Sequence, residues 1–174
     1  MRIASLLPST TEIVGQLGLA SHLVAVTHEC DVCFPSGVEL LVQSKQVERV
    51  TTSAINPLAL DQATIDAAVK STLSTGLSLY GLREDRLRAA HPTVVLTQTL
   101  CSVCAPSTEE VRAVCTKLGA DMAADVRSFE STSISEVAAS FVDVATACGV
   151  PARGRELRRV FEARLDQVRR ATCS

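Results

Sequence analysis

Thr93 to Cys104 constrains the fold more than any other stretch of the chain. The run Thr93-Val94-Val95-Leu96-Thr97 is short, apolar and β-branched, and His91-Pro92 in front of it blocks entry from a helix. Such a run reads as a strand buried on both faces. The residues that follow, Gln98-Thr99-Leu100-Cys101-Ser102-Val103-Cys104, then emerge at the carboxyl edge of a sheet, where open α/β folds place their ligands. Leu23-Val24-Ala25-Val26-Thr27 repeats the arrangement, followed by His28-Glu29 and the pair Cys30 and Cys33. Two strands therefore deliver cysteine pairs to one rim.

In chain order, Arg2 to Leu7 is the first expected strand. Ser9 and Glu12 have capping-box spacing and open a helix that carries Ile13, Val14 and Leu17 and stops at Gly18. After Leu23 to Thr27, the stretch His28 to Ser53 lacks periodicity beyond one short strand, and a connection of that length is usually functional. Asp61 caps a helix with Ile65, Ala68, Val69 and Leu73 that closes at Gly76, and Arg83 to Ala90 forms a shorter one. Ser107 with Glu110, and Ser133 with Glu136, repeat the capping-box spacing, and Met122 to Val126 reads as a strand between those two helices. The last segment, Ala152 to Ala171, sets Leu157, Val160, Phe161, Leu165 and Val168 on one side and arginines on the other. The pattern predicts an α/β fold: a Rossmann-like parallel sheet of about four strands with flanking helices. The lobe covers 1–150 and a long helix covers 151–174.

Composition removes several function classes. With 47% apolar and 21% charged residues in 174, the chain is globular. A net charge of −2 argues against a general nucleic-acid binder. No stretch is long and apolar enough to span a bilayer. Ile3 to Leu7 is too short for a secretory segment, so the expected location is intracellular. Seven cysteines, an odd number, fit reduced, metal-bound or catalytic thiols better than a disulfide framework.

Four segments together carry a family resemblance: Arg2-Ile3-Ala4-Ser5-Leu6-Leu7-Pro8-Ser9-Thr10-Thr11-Glu12-Ile13-Val14, Val26-Thr27-His28-Glu29-Cys30-Asp31, Ser78-Leu79-Tyr80, and Leu96 to Ala105. They resemble the amino-terminal lobe of the periplasmic-binding-protein-like family typified by the cobalamin-binding proteins of ABC importers. The resemblance implies two α/β lobes joined by one backbone helix, with cobalamin, haem or an iron chelate held in the cleft between them. Ala152 to Ala171 would be that backbone helix, and the chain supplies one lobe. The ligand-binding rim it implies consists of Pro8, Ser9, Thr10, Glu12, His28, Glu29, Tyr80, Gln98 and Thr99. Cys30, Cys101 and Cys104 match the pattern of one branch of the family, whereas Cys33 stands where an aromatic or proline is expected.

Three readings of function stay open. The leading one is a binding protein, not an enzyme, for a corrinoid or other metal chelate. A second is a lobe kept as a structural or interaction subunit, with the apolar stripe of the last helix meeting a second copy or a larger protein partner. The third is a thiol- or metal-dependent enzyme. Cys30, Cys33, Cys101 and Cys104 form two C-x-x-C pairs suited to zinc or an iron–sulfur cluster, if the fold brings their loops together. Small thiols filling loop space explain the same residues. A thioredoxin-like role fits poorly, because Cys101 and Cys104 precede Pro106-Ser107 and neither opens a helix. His28 and Glu29 are candidates as ligands or as an acid–base pair, while His22 and His91 sit at strand entrances and read as structural.

Overall fold

The computed structural model describes residues 1–31, 46–55, 60–74, 79–98, 108–117 and 124–172. Its strands are β1 (Ile3–Ser5), β2 (Leu23–Val26), β3 (Glu48–Arg49), β4 (Thr51–Ser53), β5 (Tyr80–Leu82), β6 (Val94–Thr97) and β7 (Asp125–Ser128). Its helices are α1 (Pro8–Gln16), α2 (Gln62–Ser74), α3 (Glu84–Ala90), α4 (Thr108–Lys117), α5 (Ile134–Ala147) and α6 (Pro151–Thr172), and 3-10 turns cover Ala20–His22 and His28–Asp31.

Five strands form one parallel sheet in the order β3-β2-β1-β6-β7, against the expected four or so, and β4 and β5 form a separate antiparallel pair. The middle of the sheet is β1, with Ile3, Ala4 and Ser5 registered on Val94, Val95 and Leu96. All four residues of β6 are buried, as a strand covered on both faces requires. The side chains alternate between two cores. Ile3, Val26, Val94 and Leu96 face α1, α5 and α6, meeting Ile13, Val14, Leu17, Val144 and Leu157. Ala4, Leu6 and Val95 face α3 and α4, meeting Leu87, Ala90, Val111 and Val114.

Two local readings change. The capping box expected from Ser9 and Glu12 does not form: helix α1 starts at Pro8 with Leu7 as its N-cap and no side-chain cap. Proline tolerates the first helical position because the N–H it lacks has no intrahelical partner there, and this moves the start forward so that Ser9 lies inside the first turn. Of the strand expected over Met122 to Val126, Met122 and Ala123 lie outside the described residues, and the strand observed runs over Asp125–Ser128. Ser133 and Glu136 do form the expected capping box, with Glu136 N donating to Ser133 Oγ at 3.2 Å and Ser133 N donating to Glu136 Oε2 at 3.1 Å. Asp61 caps α2 by accepting from Thr64 N at 2.7 Å. Ser107 lies outside the described residues.

Cys115 and Cys148 are buried core thiols. Burial pushes Cys148 up to about 11 from its ordinary 9. The unfolded chain loses this proton first, so the stabilisation is complete below about pH 9 and lost as pH rises through about 11. Urea unfolding at both ends of that window should register a fall on the order of 2–3 kcal/mol. Cys148→Ala should remove most of the slope, and an unchanged slope in that variant would contradict the assignment.

Candidate ligand-binding site

The sheet order reverses direction between β1 and β6, because β1 continues through β2 and β3 on one side while β6 and β7 extend the other. Crevices in such sheets open outside the carboxyl ends of the strands at that switch point. Leu7 follows β1, Gln98 follows β6, and Phe129 to Ser131 follow β7. These segments, the first turns of α1 and the inner faces of α5 and α6 enclose a cavity of about 570 Å³. Phe129, Phe141, Phe161 and Leu157 supply its apolar wall, and Ser9, Glu12, Gln98, Glu130 and Arg164 its polar lip. Phe141 and Phe161 meet edge to face with ring centroids 5.1 Å apart, which fixes that wall.

Three of the chain's four phenylalanines thus line one cavity. Composition alone implies a thin aromatic surface. The signal that could have found the cavity is the placement of Phe141 and Phe161 on the apolar stripes of consecutive helices.

Beneath the rim runs a buried chain of hydroxyls. Ser5 Oγ lies 2.7 Å from Thr10 Oγ1 and accepts from Thr11 Oγ1 at 2.7 Å, and both threonines donate to Leu7 O, at 3.1 and 3.0 Å. Thr11 Oγ1 also lies 3.1 Å from Cys30 Sγ. Ser5, Thr11 and Cys30 are fully buried. This chain joins β1, α1 and the turn after β2, so it sets the spacing of the rim segments.

The expected rim residues fall into two groups. Ser9, Thr10, Glu12 and Gln98 line the large cavity, and Pro8 opens the helix beside it. His28, Glu29 and Tyr80 gather elsewhere, where the turn after β2 meets the β4–β5 pair. His28 N donates to Thr51 Oγ1 at 3.0 Å, His28 Nδ1 lies 2.7 Å from the same oxygen, and the His28 and Tyr80 ring centroids are 5.2 Å apart. Glu29 Oε1 stands 3.3 Å from His28 Nε2. Glu29 and Tyr80 line a hollow of about 120 Å³ with Ile65 and Leu79.

The thiol site divides differently. Cys30 sits in the core on Thr11, and Cys33, Cys101 and Cys104, together with Thr99, lie outside the described residues. Among the described residues no three of His, Cys, Asp and Glu come together where an ion could be held. No helix among them is long and apolar enough to cross a membrane.

No protein-family model matches the sequence, and no curated protein matches it. Solved structures do match. The periplasmic vitamin B12 binding protein BtuF of Vibrio cholerae superposes with a TM-score of 0.64 at 19% identity, covering 99% of this chain and 51% of that one. The periplasmic haem-binding protein BhuT, solved with two haems, gives 0.65 at 17% identity, covering 99% and 50%. RhuT, a periplasmic haem-binding protein from Roseiflexus sp. RS-1, gives 0.57 at 17%, covering 97% and 49%. The chain spans about half the length of the structures it matches. The fold is therefore a single lobe of a two-lobe binding-protein fold.

Proposed function

We propose that this lobe holds a metal chelate, a corrinoid or a haem-like or iron chelate, against the rim at the ends of β1 and β6. The observation that carries the reading is the cavity at the switch point, with a phenylalanine wall suited to a flat macrocycle and a lip of hydroxyl, amide and charged groups suited to its polar edge. The structural neighbours BtuF and BhuT are periplasmic binding proteins for vitamin B12 and for haem, which supports a binding role over an enzymatic one. Neither zinc nor an iron–sulfur cluster gains support from Cys30, whose thiol is enclosed by the core.

A macrocycle seated here keeps one face in water, and apolar area left exposed forgoes about 25 cal/mol per Å². Calorimetric titration of the 174-residue chain with cyanocobalamin and with haemin should therefore give, for one of them, a dissociation constant near micromolar, about −8 kcal/mol. Phe161→Ala should weaken it about tenfold, the loss of one aromatic contact. Absence of binding at about millimolar ligand would contradict the proposal, whereas nanomolar binding to the isolated chain would show that the single lobe already encloses its ligand and would overturn the expected exposed face.

A narrower role follows for α6 as a partner surface. Leu157 of its apolar stripe packs on the core and Phe161 meets Phe141 edge to face, whereas Val168 is 58% exposed and Ile134 of the adjoining α5 is 60% exposed. We propose that a larger protein partner covers this strip. Size-exclusion of native extract should then find the chain far above the mass of two 18.5 kDa copies, and Leu165→Glu with Val168→Glu should release it. Elution of the unaltered chain at one or two copies would remove the reading.

A further inference from the structure

Strand β7 closes one side of the sheet, and among the described residues no strand pairs with its outer edge. Asp125 N donates to Thr93 O at 3.0 Å and Phe129 N to Thr97 O at 2.9 Å. Peptide groups alternate along a strand, so Asp125, Arg127 and Phe129 turn theirs toward β6, and Val126 turns its N–H and C=O to the side away from β6. Charged side chains on an edge usually repel a second strand. This edge instead carries one charge of each sign two residues apart. Arg127 Nε donates to Asp125 Oδ2 at 2.8 Å, and the two side chains are 58% and 51% exposed.

We propose that β7 is a self-pairing edge, on which a second copy of this chain docks antiparallel about a two-fold axis at Val126. In that register Val126 exchanges both backbone hydrogen bonds with Val126 of the second copy. Asp125 of each copy then lies opposite Arg127 of the other, in the non-hydrogen-bonded positions where facing side chains approach closest. Both charges thus gain an opposite neighbour across the axis while keeping the one in their own strand. A cavity of about 410 Å³ beside the strand, lined by Arg127, Ser140, Asp143 and Thr146, leaves room for these side chains to adjust. Charge order favours this register, because an acid and a base flanking the axis face opposite charge across it, whereas two acids would face like charge. The pairing joins two five-stranded sheets into one continuous sheet of ten.

Sedimentation velocity between about 10 and 300 µM at low salt tests this, with an edge this short expected to associate weakly. The unaltered chain should form a concentration-dependent dimer. Arg127→Asp places like charges opposite each other twice and should weaken it at least about tenfold. Asp125→Arg combined with Arg127→Asp keeps the in-strand pair, recreates both cross-strand pairs and should return the affinity to within about threefold. Leu165→Glu with Val168→Glu should leave the dimer intact. Circular dichroism confirms that each variant is folded. A strictly monomeric unaltered chain, an Arg127→Asp variant that dimerises as well as the unaltered chain, or a folded double swap as weak as the single variant each overturns the proposal; the first would leave the edge to a strand of another protein.

Discussion

Gly154→Leu is expected to force α6 off α5 and to lower stability by at least about 3 kcal/mol, above the usual range for overpacking because the obstruction is backbone. A Cβ at Gly154 would stand 2.5 Å from Ala145 Cβ, 2.6 Å from Phe141 O and 2.9 Å from Val142 Cα. Main-chain atoms of a packed helix cannot move aside singly, so the helices must separate. Gly154→Ala meets the same atoms but gains up to about 1 kcal/mol of helix propensity, and a net loss of about 1–2 kcal/mol is expected. Gly15 provides the contrast, because a Cβ there meets nothing within 4 Å. Gly15→Ala should stabilise by about 0.5–1 kcal/mol. Thermal unfolding reads all three, at about 2–4 °C per kcal/mol for a chain of this size. Equal effects of alanine at the two positions would show that the α5–α6 crossing is looser than these distances state. Phe141 and Phe161 belong to that crossing, so Gly154→Leu should also abolish binding in the cavity they wall.

The second large effect is expected at Thr11. Thr11→Val preserves shape and removes the hydroxyl that donates to Ser5 Oγ and Leu7 O and touches Cys30 Sγ. Leaving buried partners unsatisfied costs about 1–3 kcal/mol, or roughly 2–12 °C in melting temperature. The hydroxyl chain ties α1 to β1 and to the turn after β2, so ligand affinity should fall along with stability. A double-mutant cycle with Cys30→Ala separates the sulfur contact from the rest. Coupling above about 0.5 kcal/mol assigns Cys30 to the network, and additivity would make it simple core filling.

Where a residue's structure depends on near neighbours, it was legible in the sequence. The β-branched runs at Val24 and Val94 form parallel strands, and Asp61 and Ser133 cap helices, because each signal is complete within a few residues. Ser9 and Glu12 carry the same capping spacing, but Pro8 already occupies the first helical position and Thr10 and Thr11 turn their hydroxyls to Leu7 O. One short strand is expected within His28 to Ser53, and among the described residues two form there, Glu48–Arg49 and Thr51–Ser53; their bounds and the pairing with Tyr80–Leu82 escaped because two or three residues without alternating apolarity become strands only when a neighbour, here β2 or Tyr80–Leu82, offers an edge. The site divides along the same line. Ser9, Glu12 and Gln98 follow from strand ends, whereas Phe129, Phe141, Phe161 and Arg164 join them only through the docking of α5 and α6. His28 and Tyr80 do approach each other, but beside Thr51 and away from the large cavity. Gly154 left a faint trace, a helix-weakening residue inside an otherwise strong helical pattern, which is a sign of close packing.

Ligand seated at the switch point between β1 and β6 should perturb the backbone around that crevice and nowhere else. Amide chemical-shift mapping tests it most directly, with cyanocobalamin and with gallium protoporphyrin as a diamagnetic stand-in for haem. Saturable shifts are expected at Ser9, Thr10, Glu12, Gln98, Phe129 to Ser131 and Arg164, with His22, His91 and Thr93 at the opposite end of the strands unmoved. Shifts centred on His22 and His91, or on Ile134 and Val168, or no shift with either ligand at about millimolar concentration, would contradict it.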